Sequence, residues 1–289
     1  MYNIKYNSDN GKSVNFSPML GWAISNITGL TENYVEFTKT GGAFQKGQSI
    51  RGRSVQDKAI TIEGQILGES ALFREHLVNT IVPEVSGELV FNNKIFIKVE
   101  PENTPYVTNH PTAASFQFQL RAPYPYWRDV RETITVISGL QPNFSFPINY
   151  GEPTTHRFGT TVNASHINVI NRGNVDARFK IVFRANGNVV NPQVYNINTG
   201  DAIKIRKTMA AGEVLIIDMS GSTFKVTSET ESVSENAFRY FDINSALFPL
   251  YPGDNLIRHD AQSGRNNLLC EIWHRSTYAG ATGDGKTYI

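Results

Sequence analysis

The chain has a single cysteine, Cys270, inside the apolar stretch LLCEIW. That excludes an intrachain disulfide framework and any metal site built on paired thiolates. Charge is also scarce. Charged residues make up 18% of the 289, and 27 Lys and Arg stand against 26 Asp and Glu, for a formal net charge of +1. Neither half is markedly basic or acidic, so the basic footprint of a nucleic-acid or anionic-membrane binder is missing. No apolar run approaches the ~20 residues of a membrane span. The opening MYNIKYNSDNGKS lacks the apolar core of a signal peptide. The expectation is folding in a reducing cytoplasm, with the sequons at Asn26 and Asn163 idle.

Near the end, GATGDGKT (Gly280 to Thr287) satisfies the phosphate-cradle pattern G-x-x-x-x-G-K-[ST] letter by letter. Such a loop works by aiming backbone N–H groups and the start of a following helix at phosphate oxygens. Only Tyr288 and Ile289 follow Thr287, too few for one helical turn, and no βαβ unit can surround the motif. A Gly-rich terminus produces the same letters, and the match is read as accidental. No nucleotide or other cofactor is expected.

What is present is mostly strand. In DKAITIEGQILG, Ile60, Ile62 and Ile66 recur at even spacing, the period of a half-buried strand, and Gly68 ends it. SALFREHLVNTIVP reads as the one helix, with Ser70 as cap, Phe73, Leu77 and Ile81 along one face, and Pro83 as stop. KIFIKVE and ASFQFQLRAP alternate again, and PENTPYVTNHPT between them reads as a loop. Pro123, Pro125 and Trp127 close this unit, and ETITVIS opens another. Beyond it, short strand-like runs follow one another without a helix. ANGN and DMSG look like tight hairpin turns, and the acidic ETESVSEN looks like a solvated loop. The chain thus divides into residues 1–131 and 132–289. It is mainly β: a barrel or sandwich with one helix, then a second β-sandwich of sandwich or jelly-roll type.

Chemistry is thin. The six histidines, His76, His110, His156, His166, His259 and His274, include no pair at zincin spacing and none with a cysteine partner. His259 beside Asp260 reads as an exposed loop histidine, since chain neighbours rarely face each other. There is no G-x-S-x-G elbow. Glu63, Glu100 and Glu102 lie on or beside strands, where solvated faces explain them as well as a glycosidase pair does. Trp127, Trp273 and Tyr278 are the candidates for stacking on a sugar ring, though a Trp beside an apolar run is more often core. No catalytic residue and no metal ligand set emerges.

The order of motifs is more specific than any one of them. ISNITGLTENYVEF precedes the Gly-rich GGAFQKGQSIRGR, the strand DKAITIEGQILG, the helix and FQFQLRAPYPYW; NRGNVDARFKIVF, EVLIIDMSG and SALFPLYPGDNLI follow. With LRAPYPYW, NRGN and FPLYPGDN in that order, the chain resembles the distal tail protein family of long non-contractile-tailed bacteriophages, prophage copies included. The NRGN and YPGDN glycines would take positive φ in turns, and Asp254 would accept backbone bonds in its own turn. The resemblance implies an N-terminal β-barrel or sandwich that forms a ring belt, usually hexameric, and an outward galectin-like β-sandwich. It implies a non-enzymatic hub at the virion tail tip, assembled in the host cytoplasm. That hub joins the tail tube protein to tail-associated, baseplate and receptor-binding proteins and leaves a channel through which DNA passes. Two loops would supply the ring or tube interface: GGAFQKGQSIRGR, with Phe44, Arg51 and Arg53, and PENTPYVTNHPT, with Tyr106 and His110. The competing readings are a carbohydrate-binding module that contacts the host cell wall through the galectin-like domain, and a cell-wall hydrolase.

Overall fold

Even-spaced apolar residues set the first unit. In a computed structural model, residues 3–281 are described except 43, 45, 69, 111–113, 143–158, 164–165 and 222, with backbone alone at 138–142 and 159–163. The strand Lys58–Ile66 places Ile60, Ile62 and Ile66 on one face, all fully buried. It belongs to an antiparallel sheet whose order is Ser13–Phe16, Ile4–Ser8, Gly87–Phe91, Ile95–Pro101, Ser115–Ala122, Lys58–Ile66 and Trp22–Thr28. The core face is aromatic: Phe16 meets Phe116, Phe118 and Trp22 with ring centroids 5.8, 5.7 and 5.7 Å away. Gly64 is required there, because a Cβ would stand 2.6 Å from the Phe116 ring and 2.5 Å from the Ala23 carbonyl oxygen. Ser70–Thr80 forms the helix, with Ser70 as its first residue, Leu77 and then Ile81 buried, and Phe73 packed 5.0 Å from Trp22.

Two expectations for this unit change. PENTPYVTNHPT is not all loop. Tyr106–Val107 pairs with Ser115–Ala122, because Val107 finds a place against the core. The unit is also not continuous in sequence: it comprises residues 1–131 and 277–289, and the second unit is 132–276. The returning strand Thr277–Tyr278 pairs with Trp127–Asp129, which itself pairs with Ile95–Pro101. Side chains hold the return in place. Asn33 Nδ2 and Lys58 Nζ both donate to the Ala279 carbonyl, at 2.7 and 3.0 Å, and the Tyr278 hydroxyl donates to Asp129 at 3.2 Å. Ala281 donates its N–H to Leu30 O at 3.0 Å, and Trp127 Nε1 reaches the same carbonyl at 3.0 Å. GATGDGKT lies outside the described residues from Thr282 on.

The second unit is a β-sandwich. One sheet has the order 159–163, 133–142, Leu268–His274, Phe179–Ala185, Val214–Asp218, Lys225–Glu229, Ser234–Asn236. The other contains His166–Asn171, Gly253–Ser263, Val189–Asn196 and Ala202–Lys204, with Thr208–Met209 also on Val189–Asn196. Phe179, Ile181, Leu215, Cys270 and Ile272 of the first sheet share one core with Val169, Val194, Ile203 and Ile257 of the second.

Several turns differ from expectation. ANGN is not a hairpin: the strands on either side, Phe179–Ala185 and Val189–Asn196, lie in different sheets, so the turn carries the chain across the sandwich. DMSG does begin a hairpin, but pairing resumes only at Lys225, opposite Asp218. ETESVSEN holds the edge strand Ser234–Asn236, which is saved from bare solvation by its ladder to Lys225–Glu229. In NRGN the turn is held by a side chain rather than by positive φ. Asn171 Nδ2 donates to Val175 O (2.8 Å) and Leu250 O (3.0 Å), while its Oδ1 accepts from Gly173 N (3.0 Å). Gly253 does take φ +87, but Asp254 accepts from Asn168 Nδ2 at 2.6 Å rather than capping its own turn.

Candidate functional site

GGAFQKGQSIRGR folds differently from a loop. Val35–Thr40 and Ser49–Val55 form a two-stranded antiparallel hairpin that pairs with no other strand among the described residues. Its register sets Val35 opposite Val55 and Phe37 opposite Arg53, with Arg51 as the extra residue of a bulge between Thr38 and Lys39. Every residue of the first strand is exposed, and Gly52 is the one partly covered position of the second. A surface facing water favours polar groups, yet Val35, Phe37, Ile50 and Val55 are all exposed. Phe44 stands at the tip in full solvent. Arg51 Nε donates to Thr40 Oγ1 at 3.2 Å, and Gln56 Nε2 to Glu36 at 3.0 Å, so the arms are braced while their apolar side chains have no core. Arg51 and Arg53 therefore sit on a strand, not in a loop.

Tyr106 and His110 are exposed elsewhere in the unit. Tyr106 lies opposite Gln117, and the segment is tied to the helix by Arg74, which donates to Thr108 O at 2.9 Å. The hairpin thus gathers Phe44, Arg51 and Arg53, whereas Tyr106 and His110 form a second patch.

A feature that alternation alone does not reveal is an open seam in the sheet. Ser13–Phe16 and Trp22–Thr28 are its two ends, joined by the turn Pro18–Leu20, and each has a strand partner on one side only among the described residues. Between them lies an apolar groove of about 380 Å³ lined by Ile4, Phe16, Ile24, Ile27 and Leu30, with Ser25 and Asn26 at its rim. The signal in the sequence was the spacing of Trp22, Ile24 and Ile27, which breaks alternation at the bulge between Ile24 and Asn26.

Several residues weighed for chemistry have structural partners. Glu102 pairs with Arg121 at 2.8 Å, and Glu100 accepts from the Ser86 hydroxyl at 2.7 Å. Trp127 is fully buried; Trp273 donates to Glu271 at 2.8 Å with Lys180 Nζ 4.4 Å from its ring centre. Tyr278 belongs to the first unit. His259 is not an exposed loop residue: it is buried on Gly253–Ser263. Burial, then Arg265, push its pKa down to about 4 against a smaller upward pull from Asp260. Asp260 instead pairs with Arg258 at 2.7 Å, because neighbours on a strand face opposite ways. His156 lies outside the described residues.

These features define a class: an antiparallel β protein of two units in which, among the described residues, an exposed apolar hairpin and an open sheet edge stand out, surfaces of the kind that mark contacts with other chains. Residues 172–278 match the family model for the siphovirus-type tail component, C-terminal domain. Over those 107 residues the chain is similar to the Dit-type tail component of siphoviruses. Among solved structures, the Dit protein of phage SPP1, called a paradigm of the hub adsorption apparatus in phages infecting Gram-positive bacteria, matches at TM-score 0.67 and 11% identity over 96% of this chain and 99% of that one. A chain of the phage P2 baseplate in its activated conformation with Ca matches at TM-score 0.51 and 10% identity, covering 98% and 99%. The same baseplate with Sr gives 0.50 at 10% identity, covering 95% and 98%. No curated protein matches the chain by sequence.

Proposed function

We propose that copies of this chain close into a hexameric ring at the distal end of the tail tube. The ring joins the tube protein to the tail-associated and receptor-binding proteins below and leaves a channel for DNA. The observation that carries this reading is the hairpin. Two strands alone are marginally stable in water, and this pair exposes Val35, Phe37, Ile50 and Val55 without a core of its own. A ring of one kind of subunit needs two different patches per copy, related by a rotation that closes. Electron micrographs and light scattering of the purified chain test it: ring-shaped particles of six copies are expected. A chain that stays monomeric at its highest soluble concentration would contradict the reading.

A further inference from the structure

Two side chains at the base of the hairpin meet on one atom. Lys58 Nζ and Asn33 Nδ2 both donate to the Ala279 carbonyl oxygen, at 3.0 and 2.7 Å. Strand pairing brings them there. Gln56 N donates to Tyr34 O at 2.9 Å, one step beyond Val35 opposite Val55, so Asn33 and Lys58 flank the hairpin on its two sides. The returning segment lies close against this base, since a Cβ at Gly280 would stand 2.8 Å from Thr31 Cα. Lys58 is 2% exposed, and its hydrogen-bond partner is a neutral carbonyl, a poor match for a buried ammonium. Neighbouring Asp57 pairs with Arg121 at 3.0 Å instead. Burial accordingly pushes the Lys58 pKa down to about 8, against a smaller upward pull from Glu32. A neutral, nucleophilic amine is therefore within reach at mildly alkaline pH. Asn33 Oδ1 is buried without a hydrogen-bond partner, an acceptor that a purely structural asparagine would have satisfied.

From this arrangement we infer that Lys58 and Asn33 join in an intramolecular isopeptide bond, from Lys58 Nζ to Asn33 Cγ, which closes the base of the hairpin covalently. The Nζ lone pair adds to Cγ, the Cγ–Nδ2 bond breaks, and Nδ2 leaves as ammonia with the proton that Nζ gives up. Nothing is oxidised or reduced, and no co-reactant is consumed. Glu32 is the carboxylate that carries the proton: backbone N–H groups of Glu32 and Thr31 hold its pKa below the ordinary range, so it is ionised and able to accept. Holding amine and carboxamide on one acceptor supplies the proximity that the step needs. Two donors that share one carbonyl are replaced by a single amide N–H, which can donate to the same Ala279 oxygen. The product ties the segment before Val35–Thr40 to the start of Lys58–Ile66, so the hairpin cannot be peeled away at its base.

Mass spectrometry of the purified full chain, kept above about pH 8 so that Lys58 is neutral, provides the test. The intact mass should fall about 17 Da below that of the sequence, the loss of one ammonia. Trypsin should no longer cut after Lys58, and residues 13–39 should appear linked to residues 54–74 in one branched peptide. Lys58→Met and Asn33→Ala should each keep the full mass; if Lys58→Met fails to fold, Asn33→Ala, at a half-buried side chain, still supplies the control. Glu32→Gln, at an exposed side chain, should leave most chains unlinked. Folded wild-type chain at full mass, with Lys58 still cut by trypsin, overturns the bond. So does a 17 Da loss without the branched peptide, because an asparagine that cyclises on its own backbone loses the same ammonia. A Glu32→Gln chain linked as fully as wild type overturns the proton relay.

Discussion

Single side chains in this protein carry more information about stability than about chemistry. His259 is the clearest case. Its pKa is held down to about 4 by burial and by Arg265, below the ordinary 6.5 of the unfolded chain. The unfolded state therefore binds the proton first, and stability falls as pH drops from about 6.5 towards 4, with a slope approaching 1.4 kcal/mol per pH unit. Glu213, Asp242 and Asp260, whose pKa values are lowered, begin to lose their own contribution only at more acid pH. Denaturant titrations at pH 7 and pH 5 should thus separate wild type from His259→Gln, with the smaller pH difference in the variant. Equal differences would show that His259 does not carry the effect. The sequence placed this histidine in RHDAQSG, whose polar letters read as a loop. The strand Gly253–Ser263 runs through them because its alternate positions, Asn255, Ile257 and His259, face the core.

Elements were legible where burial and periodicity agree. Lys58–Ile66, the helix and Ser115–Ala122 follow directly from their apolar spacing. Pairing partners were not legible, because they depend on residues far away in sequence. ANGN has the composition of a hairpin turn, yet it joins two sheets. Thr277–Tyr278 reads as the fringe of a final strand, yet it pairs with Trp127–Asp129. The second pairing makes a prediction about fragments. A chain ending at residue 131 loses that strand and the bonds to Ala279 and Ala281, and it strips Lys58 of its carbonyl partner. The loss is on the order of 3 kcal/mol, a few net hydrogen bonds plus the apolar cover of Tyr278. The fragment should melt well below the first unit of the intact chain, and a synthetic peptide of residues 277–289 added in excess should raise its melting temperature. A fragment as stable as the full chain would mean that the returning segment contributes nothing. The hairpin, by contrast, should tolerate change. Phe44, Arg51 and Arg53 replaced together by Ala should leave thermal melting nearly unchanged, as exposed substitutions do, while light scattering shows weakened assembly.

At the scale of the whole molecule, the sequence reading placed a change of unit at Trp127 to Ser138, where the prolines of LRAPYPYW end one alternating pattern. Prolines announce such an exit because they cannot donate to a ladder. Nothing of that kind marks the second crossing near Ser276, where the chain passes from the strand Leu268–His274 into Thr277–Tyr278 within a few residues. A local pattern cannot distinguish a strand that ends from one that changes partners. The division of labour follows from the surfaces. The sandwich of residues 132–276 has its own core, built from both of its sheets, whereas the hairpin and the open seam both belong to the first unit. Residues 132–276 expressed alone should therefore melt in one cooperative transition and remain monomeric at concentrations where the full chain assembles. Calorimetry and sedimentation of this fragment give the answer. A fragment without a cooperative melt would deny the sandwich its independence, and one that forms rings by itself would move the assembly surface out of the first unit.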